Sequence, residues 1–506
     1  MAEEPSIPLR TTGFRLLHRL SLRLNVPLDQ VNFAACQLLA LLAAFWFRHY
    51  LSPTKVSTVI RHVVVTILGI YFVIFCFGWY SLHVFIEIFL CYCIMTLAKI
   101  KNIHKYSFVA ALAYLTLCQI SRVYIFSYKL LSTDFSGGLL WPLMIITQKI
   151  TSLAFQLHDG MGRKEEDLTK EQSRVAVRVR PTFLQYCSYH LNFLSILAGP
   201  TSNYKDYIAF IEGSHINMKL LEINWKKKGY RTLPDPSPLR AVVQKVAITV
   251  VCALLFLSIS KKFPISYVSD ENFVREASFF SRISYLIISI NAVRPKYYFA
   301  WTLADAINNA AGYGFNGIDE NGNFRWDLIS NLNIWNIETA TSFKMCLDNW
   351  NIQTLFWLKS ICYDRLSNYR IPLTLMLSAV WHGVYPGYYF TFITAIPVTM
   401  AARTVRRNFR HYFLSSKTKK VAYDIATWAT TQLVISYTAA PFLLLAVGPT
   451  IRFYKSMYFY GHIVCLLVLL VLPTKLRYHF DQKTERQPDI KPANETLDPQ
   501  LDEKIK

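Results

Sequence analysis

Long apolar runs recur along almost the whole chain, and most approach the roughly 20 residues that a helix needs to cross the hydrocarbon of a bilayer. This pattern predicts an all-α, polytopic membrane protein with about nine to twelve crossings. Several runs adjoin without a clear linker, and others contain Gly, Pro or Asn, so the short ones are candidates for tilted or re-entrant helices. The runs lie near residues 31–47, 60–79, 82–99, 105–126, 139–157, 183–199, 241–260, 277–292, 297–312, 370–385, 388–401, 422–446 and 454–473.

The two ends of the chain differ from this apolar middle. Residues 1–30 form an amphipathic arm, residues 31–473 form the membrane domain, and residues 474–506 are a charged tail poor in large apolar side chains. A tail of this composition is expected to be disordered. The opening "MAEEPSIPLR" is acidic and lacks the features of a signal peptide, so insertion is expected to begin at an internal span.

Composition supports a membrane protein. Of the 506 residues, 53% are hydrophobic and only 17% are charged, whereas soluble domains carry about 25% charged residues. The net charge of +22 comes from basic runs between apolar spans, and no nucleic-acid-binding module accompanies it. By the positive-inside rule these connections face the cytosol. The main basic connections are residues 162–180, 225–231 and 403–420.

The ten cysteines lie mostly inside apolar runs. None forms a CxxC pair or a Cys/His spacing typical of a metal site. They are interpreted as small buried hydrophobes, and no metal site is expected.

A polar stripe runs along residues 296–317, where Trp301, Asp305, Asn308 and Gly312 follow a helical period. They therefore share one face of a helix. Polar groups at membrane depth usually face a cavity or a polar partner. The stripe fits two roles equally well, either lining a substrate tunnel or packing against neighbouring helices through hydrogen bonds.

Residues 326–359 are too polar to span the bilayer but rich in aromatic side chains, which suits short helices at the interface. Asn351 precedes an apolar helix that begins near Ile352, so on the residues alone its favoured role is an N-cap. The motif "NIWNIET" at 333–339 is echoed by "NWNIQT" at 349–354. Asn336 therefore competes with Asn351 as a functional candidate.

His382 stands in the apolar stretch "LSAVWHGVYPGYYF" at 377–390. The "YPG" that follows should stop or kink the helix, which places the imidazole near a helix C-terminus. Small neighbours such as Ser378 and Gly383 leave room for a ligand, so a functional and a structural role remain equally open. A structural role is assigned to the other histidines of comparable setting, which are His62, His83, His190 and His462.

Two segments together resemble the signature of the membrane-bound O-acyltransferase (MBOAT) family. They are "WNIQT" at 350–354 and "SAVWHGVYPGYY" at 378–389. In that family an Asn and a His on different elements form the active site, and Asn351 and His382 match them without departure. The resemblance extends over nearly the whole chain except the arm and the tail, and includes 158–163, 197–213, 296–317 and 326–335.

The resemblance implies a bundle of about eleven transmembrane helices, plus short interfacial or re-entrant helices, around a central catalytic chamber. It selects Asn351 over Asn336 and implies that His382 acts as a general base. Acyl-CoA would reach the chamber from the cytosol as a co-substrate, and lysophospholipid would enter from the bilayer. No further cofactor is implied, and the implied location is the endoplasmic reticulum membrane.

Within the family, the chain is most similar to the lysophospholipid branch, and there to enzymes that acylate lysophosphatidylethanolamine and lysophosphatidylserine with an oleoyl-type chain. The candidate substrate-binding residues are Trp301, Asp305, Asn308, Trp350, Ser378, Arg365 and Arg370. Of these, the two arginines are candidates for the CoA phosphates, although snorkelling or positive-inside charges are the more ordinary role for such arginines.

Two other functions are compatible with the same residues. A lipid transporter also needs a polar-lined chamber, but transport folds often show inverted repeats, and none stands out here. An MBOAT enzyme for a sterol, diacylglycerol or protein acceptor would share the Asn and the His. The assignment to phospholipids therefore rests on the resemblance alone.

Overall fold

The protein is described here by a computed structural model that covers residues 13–125, 140–222 and 236–472. Its regular elements are helices, and the described residues contain no β-strand. In chain order the helices α1 to α21 are His18–Leu24, Leu28–Tyr50, Thr58–Phe77, Ser81–Leu97, Ile103–Ile120, Leu140–Gly162, Lys170–Val175, Phe183–Leu191, Tyr204–Glu212, His215–Glu222, Leu239–Ile259, Glu271–Glu276, Phe279–Ala310, Ile334–Glu338, Phe343–Asn349, Ile352–Ile361, Arg370–His382, Pro386–Phe413, Lys417–Leu444, Val447–Ser456 and Tyr460–Val471.

The all-α prediction is therefore confirmed. By length and composition, four helical stretches of the described residues suffice to cross a membrane, and they are Leu28–Tyr50, Thr58–Leu97, Ile103–Tyr124 and Leu239–Ile259. A fifth crossing would come from α20 and α21 if this pair, bent by 68°, forms one broken span. The count of about eleven crossings stays a prediction.

Several further helices are long enough to span but more polar. Helix α13 has 32 residues and includes Pro295, so the two apolar runs predicted near 277–292 and 297–312 form one helix. The predicted polar stripe is wrong at its last position. Helix α13 ends at Ala310, so Gly312, with φ +87°, lies beyond the helix and does not share its face. Helices α18 and α19 have 28 residues each, which is about 42 Å of helix.

The largest hydrophobic core lies among α2 to α6, α8 and α9 and reaches α11, α13, α16 and α17. The run predicted near 183–199 is helical only over Phe183–Leu191. The chain that follows is non-helical yet buried, and residues 198–201 line the central cavity. Irregular backbone at membrane depth is tolerated where it is buried in protein or lines a cavity.

The aromatic-rich segment 326–359 forms short helices, as predicted. Helices α14, α15 and the start of α16 follow one another within it. An isolated antiparallel bridge joins Leu332 to Trp350, which brings the two echoed motifs side by side. The predicted tail, the basic connection at 225–231 and the first 12 residues of the arm lie outside the described residues.

Candidate active site

Asn351 stands at the start of α16 but does not cap it. Its backbone is left-handed, with φ 51° and ψ 53°, and its side chain makes no capping hydrogen bond. The cap comes instead from Asn331, whose backbone oxygen accepts from Ile352 N at 2.9 Å and whose Oδ1 accepts from Gln353 N at 3.0 Å. Asn is one of the few residue types that adopts the left-handed conformation readily. The carboxamide of Asn351 is therefore available to a ligand.

The echoed residue, Asn336, has a different setting. Its Nδ2 donates to Asn349 Oδ1 at 3.1 Å, and its backbone N–H donates to Asn333 Oδ1 at 3.0 Å. Within the described residues, it is absent from the walls of the central cavity. The structure thus distinguishes the two asparagines that the sequence left in competition.

His382 is the last residue of α17. Gly383 ends the helix with φ +142°, a conformation that favours glycine, and α18 begins at Pro386. The imidazole ring stacks against Phe392 with ring centroids 5.4 Å apart, and Phe442 meets it edge-on at 5.0 Å. Neither ring nitrogen has a hydrogen-bond partner among the described residues. The aromatic walls fix the ring and leave its polar atoms to a ligand.

The other membrane histidines are hydrogen-bonded within the protein. His62 Nδ1 lies 2.5 Å from Ser188 Oγ, and His83 Nδ1 lies 3.0 Å from Tyr114 OH. His190 Nδ1 lies 2.7 Å from a backbone oxygen, and His462 bonds two hydroxyl groups. These contacts fit the structural role that the sequence suggested.

Asn351 and His382 both line one cavity of about 520 Å³. Its volume lies in the range of small-molecule sites, about 300–1,000 Å³. Three other predicted residues, Trp301, Trp350 and Ser378, also line it. The two indoles pack edge to face with centroids 5.5 Å apart. A mostly apolar chamber with few polar groups suits a lipid chain and a single reacting centre.

Comparison with known proteins agrees with this geometry. A model of the MBOAT, membrane-bound O-acyltransferase family matches residues 122–447, which include Asn351 and His382. The chain is 61% identical to "Membrane-bound glycerophospholipid O-acyltransferase 1" of Mus musculus over 491 residues, or 97% of this chain and 99% of that relative. It is 57% identical to "Membrane-bound glycerophospholipid O-acyltransferase 2" of Gallus gallus over 465 residues, or 92% and 89%. "Lysophospholipid acyltransferase 6" of Drosophila melanogaster is 39% identical over 467 residues, or 92% and 64%.

The chain belongs to the MBOAT family. It is therefore a membrane-bound acyltransferase, and its apolar helices make it a multi-pass protein.

Two of the polar residues predicted to bind substrate lie away from the chamber of this MBOAT enzyme. Asp305 is absent from the cavity lining of the described residues and accepts from Lys245 Nζ at 2.6 Å and Ser330 Oγ at 2.5 Å. Asn308 Nδ2 donates to Leu194 O at 3.1 Å and to Ala304 O at 2.8 Å. Asp305 joins α13 to Lys245 of α11, and Asn308 joins α13 to the buried segment that follows α8. This is the packing alternative that the sequence left open.

Arg365 and Arg370 also have protein partners. Arg365 Nη1 and Nη2 donate to the two carboxylate oxygens of Asp159 at 3.0 Å and 2.6 Å, and the Asp159 side chain is only 2% exposed. Arg370 donates to the Leu366 carbonyl and lies over the Tyr363 ring. Neither arginine is among the described residues that line the cavity. A role for them at the CoA phosphates stays a prediction.

Several polar residues of the cavity lining were not singled out from the sequence, and Gln119, Arg294 and Asn331 are among them. Gln119 is 1% exposed, and its Nε2 donates to Trp381 O at 3.1 Å, next to His382. Arg294 donates to Glu338 Oε2 at 2.9 Å while lining the chamber. The sequence signal that could have found these residues is a polar side chain inside or beside an apolar run. At membrane depth such a side chain usually faces a cavity or a hydrogen-bonding partner.

Breaking the ion pair of Asp305 should destabilise the MBOAT fold. Asp305→Ala leaves the Lys245 ammonium without its carboxylate in a largely buried place, which typically costs about 3–5 kcal/mol. The measurement is thermal unfolding of purified protein in one detergent. The matched control is Asp327→Ala, because Asp327 pairs with Arg325 at 2.6 Å on the surface, where a pair contributes about 0–1 kcal/mol. Equal melting temperatures for the two variants would contradict the structural role of Asp305.

Proposed function

We propose that this enzyme transfers an acyl chain from acyl-CoA to the free hydroxyl of a lysophospholipid, with an oleoyl-type chain as donor and lysophosphatidylethanolamine or lysophosphatidylserine as acceptor. The proposal is carried by one observation. Asn351 and His382 come from different helices to one largely apolar cavity, and neither side chain is hydrogen-bonded to another described residue. The names of the relatives, which specify glycerophospholipid or lysophospholipid acyl transfer, support the acceptor class.

The proposed reaction needs a base because an alcohol is a poor nucleophile at neutral pH. His382 takes the hydroxyl proton as the hydroxyl oxygen attacks the thioester carbon. The C–S bond then breaks, and the sulfur leaves as a thiolate that recovers the proton from the imidazolium. A thiolate is a good leaving group, because the pKa of the corresponding thiol is only about 8.5. A positioned general base contributes about 10²–10⁴-fold.

Asn351 is proposed to stabilise the negative charge that develops on the thioester oxygen, or to orient the reacting groups. Its carboxamide N–H groups can donate to that oxygen because no capping bond occupies the side chain. A single donor of this kind is worth about 10²–10³-fold in rate.

The acceptor class is tested by a panel of alcohols with one donor. Full-length purified enzyme in micelles receives oleoyl-CoA plus a lysophospholipid of each headgroup, cholesterol, diacylglycerol or a peptide. CoA thiol release and the mass of the product are measured together. Products with lysophosphatidylethanolamine and lysophosphatidylserine are expected. Product from only a non-phospholipid acceptor would overturn the proposal, and no CoA release with any acceptor would favour transport. In cells, the resemblance leads us to expect the enzyme in the endoplasmic reticulum membrane.

Acyl transfer is expected to be direct, without an acyl-enzyme. Cys346 lines the cavity and is the thiol that a covalent route would use, but no base is hydrogen-bonded to it within the described residues, as an activated nucleophile requires. Incubation with radiolabelled oleoyl-CoA alone, followed by denaturation, should leave no stoichiometric label on the protein.

Cysteine variants sharpen this test. Cys346→Ser should still turn over, and Cys362→Ser serves as the control because Cys362 is absent from the described cavity lining. A label that is lost in Cys346→Ser, and that wild-type protein passes on to added lysophospholipid, would overturn direct transfer.

A further inference from the structure

The backbone on either side of Asn351 pairs with a segment about twenty residues earlier in the chain. Residues 331–333 run antiparallel to residues 349–352. Asn333 N donates to Asn349 O at 3.1 Å, and Ile352 N donates to Asn331 O at 2.9 Å. The backbone on both sides of Asn351 is thus hydrogen-bonded to one segment.

The side chain of Asn331 adds a further hydrogen bond to this backbone pairing. The residue is 4% exposed and lines the catalytic cavity, and its Oδ1 accepts from Gln353 N at 3.0 Å. The first N–H groups of a helix need such an acceptor, which the preceding residue normally supplies. In α16 that preceding residue is Asn351, and the cap supplied by Asn331 removes the need for the Asn351 side chain to fold back.

A non-glycine residue in the left-handed region is held there by its surroundings, because the conformation itself is unfavourable. Asn351 has φ 51°. If the Oδ1 of Asn331 is removed, Gln353 N lacks its acceptor at the N-terminus of α16, and Asn351 can take the ordinary capping conformation. Its carboxamide would then bond its own helix instead of facing the cavity.

We propose that Asn331 is a positioning residue for Asn351. It caps α16 in place of Asn351, and so keeps the Asn351 carboxamide directed into the cavity. This inference rests on the proposed function, since it assumes that the Asn351 carboxamide acts in acyl transfer. Asn331 itself acts through Asn351 and not on the reacting atoms.

The position of Asn331 is fixed in turn by its neighbours. Gln353 Nε2 donates back to Leu328 O at 3.2 Å and to Ser330 O at 3.3 Å. Ser330 Oγ donates to Asp305 Oδ2 at 2.5 Å, and Asp305 is paired with Lys245. The segment that holds Asn351 is therefore tied to two long helices, α11 and α13.

The test is a double-mutant cycle with a matched control. Turnover per folded molecule is measured for Asn331→Ala, Asn351→Ala and the double variant, with folded protein quantified by size exclusion and thermal melting. Asn331→Ala should lower kcat by about 10- to 100-fold, the scale that small misplacement of a catalytic group produces. Because Asn331 acts through Asn351, it should cause no further loss in the Asn351→Ala background.

Asn333→Ala is the control because Asn333 caps α14, with Oδ1 accepting from Asn336 N at 3.0 Å. It should lower the melting temperature in a similar way yet leave turnover per folded molecule close to wild type. If Asn331→Ala does not yield folded enzyme, Asn331→Leu, which keeps much of the side-chain volume but has no acceptor oxygen, enters the same cycle with the same criterion.

The outcomes separate the two proposals. Wild-type turnover of Asn351→Ala would refute the proposed role of Asn351, whatever Asn331→Ala does. A slow Asn351→Ala together with a fully active Asn331→Ala would refute only the positioning role. Equal fold-losses from Asn331→Ala in the wild-type and Asn351→Ala backgrounds would also refute it, because such additivity means independent action.

Discussion

Replacing His382 by alanine should reduce acyl transfer by about 10²–10⁴-fold while the protein remains inserted and folded. The imidazole is held between Phe392 and Phe442, and no hydrogen bond joins its nitrogens to another described residue. Its loss therefore removes a base rather than a structural bond. The measurement is CoA release from oleoyl-CoA in the presence of lysophospholipid, normalised to folded protein.

Two variants control for packing at this site. His382→Gln keeps much of the side-chain volume but provides no base at neutral pH, so it should be as slow as the alanine variant. His462→Ala removes an imidazole bonded to Thr394 Oγ1 at 3.1 Å and Tyr437 OH at 2.8 Å. That change should lower the melting temperature more than the turnover. Comparable activity of wild type and well-folded His382→Ala would exclude the general-base role.

Asn351→Ala should lower kcat by about 10²–10³-fold, the effect of losing one donor to a developing oxyanion. Stability should fall by about 1–2 kcal/mol, because alanine tolerates the left-handed backbone at φ 51° less well than asparagine does, although no capping bond of the side chain is lost. Turnover and melting temperature are measured on the same preparation. Turnover per folded molecule close to wild type in Asn351→Ala would exclude the proposed role of the carboxamide, whatever the change in stability.

The control for this prediction is Asn336→Ala. Asn336 donates to Asn349 Oδ1 at 3.1 Å and lies outside the described cavity lining. Its substitution removes a hydrogen bond near the same loop without touching the chamber. Turnover of Asn336→Ala should stay within a few-fold of wild type, and a fall equal to that of Asn351→Ala would show that the loop as a whole, rather than one carboxamide, supports activity.

The local sequence pattern predicted the helices of this protein better than it predicted which residues contact one another. Apolar runs found α2, α3 and α11 because lipid-facing helices are uniformly hydrophobic. The same rule divided α13 into two runs, since Arg294, Pro295 and Lys296 interrupt its apolar character. Arg294 and Lys296 are buried in the protein, and burial is a property that hydropathy does not report.

The candidate site shows the same limit. Asn351 matched the sequence rule for an N-cap, but Asn331 took that role from a distant part of the chain. Asp305, a polar residue at membrane depth, was a candidate to line a cavity. In the structure its carboxylate pairs instead with Lys245 of another helix, α11. Resemblance to a family selected Asn351 and His382, and the structure brings these two to one cavity. Long-range pairings of this kind are fixed by tertiary packing and leave no local signal.

The pair of Lys245 and Asp305 also bears on how the chain enters the bilayer. A charged side chain on a helix alone in lipid raises the cost of insertion, and the cost reaches about 2.5–3.5 kcal/mol for a charge at the membrane centre. Helices α11 and α13 pack along each other, with the ion pair at 2.6 Å between them. Entry of the two helices together as a hairpin shields both charges at once, so the contact that steadies the finished enzyme also favours joint over stepwise release of these helices from the translocation machinery.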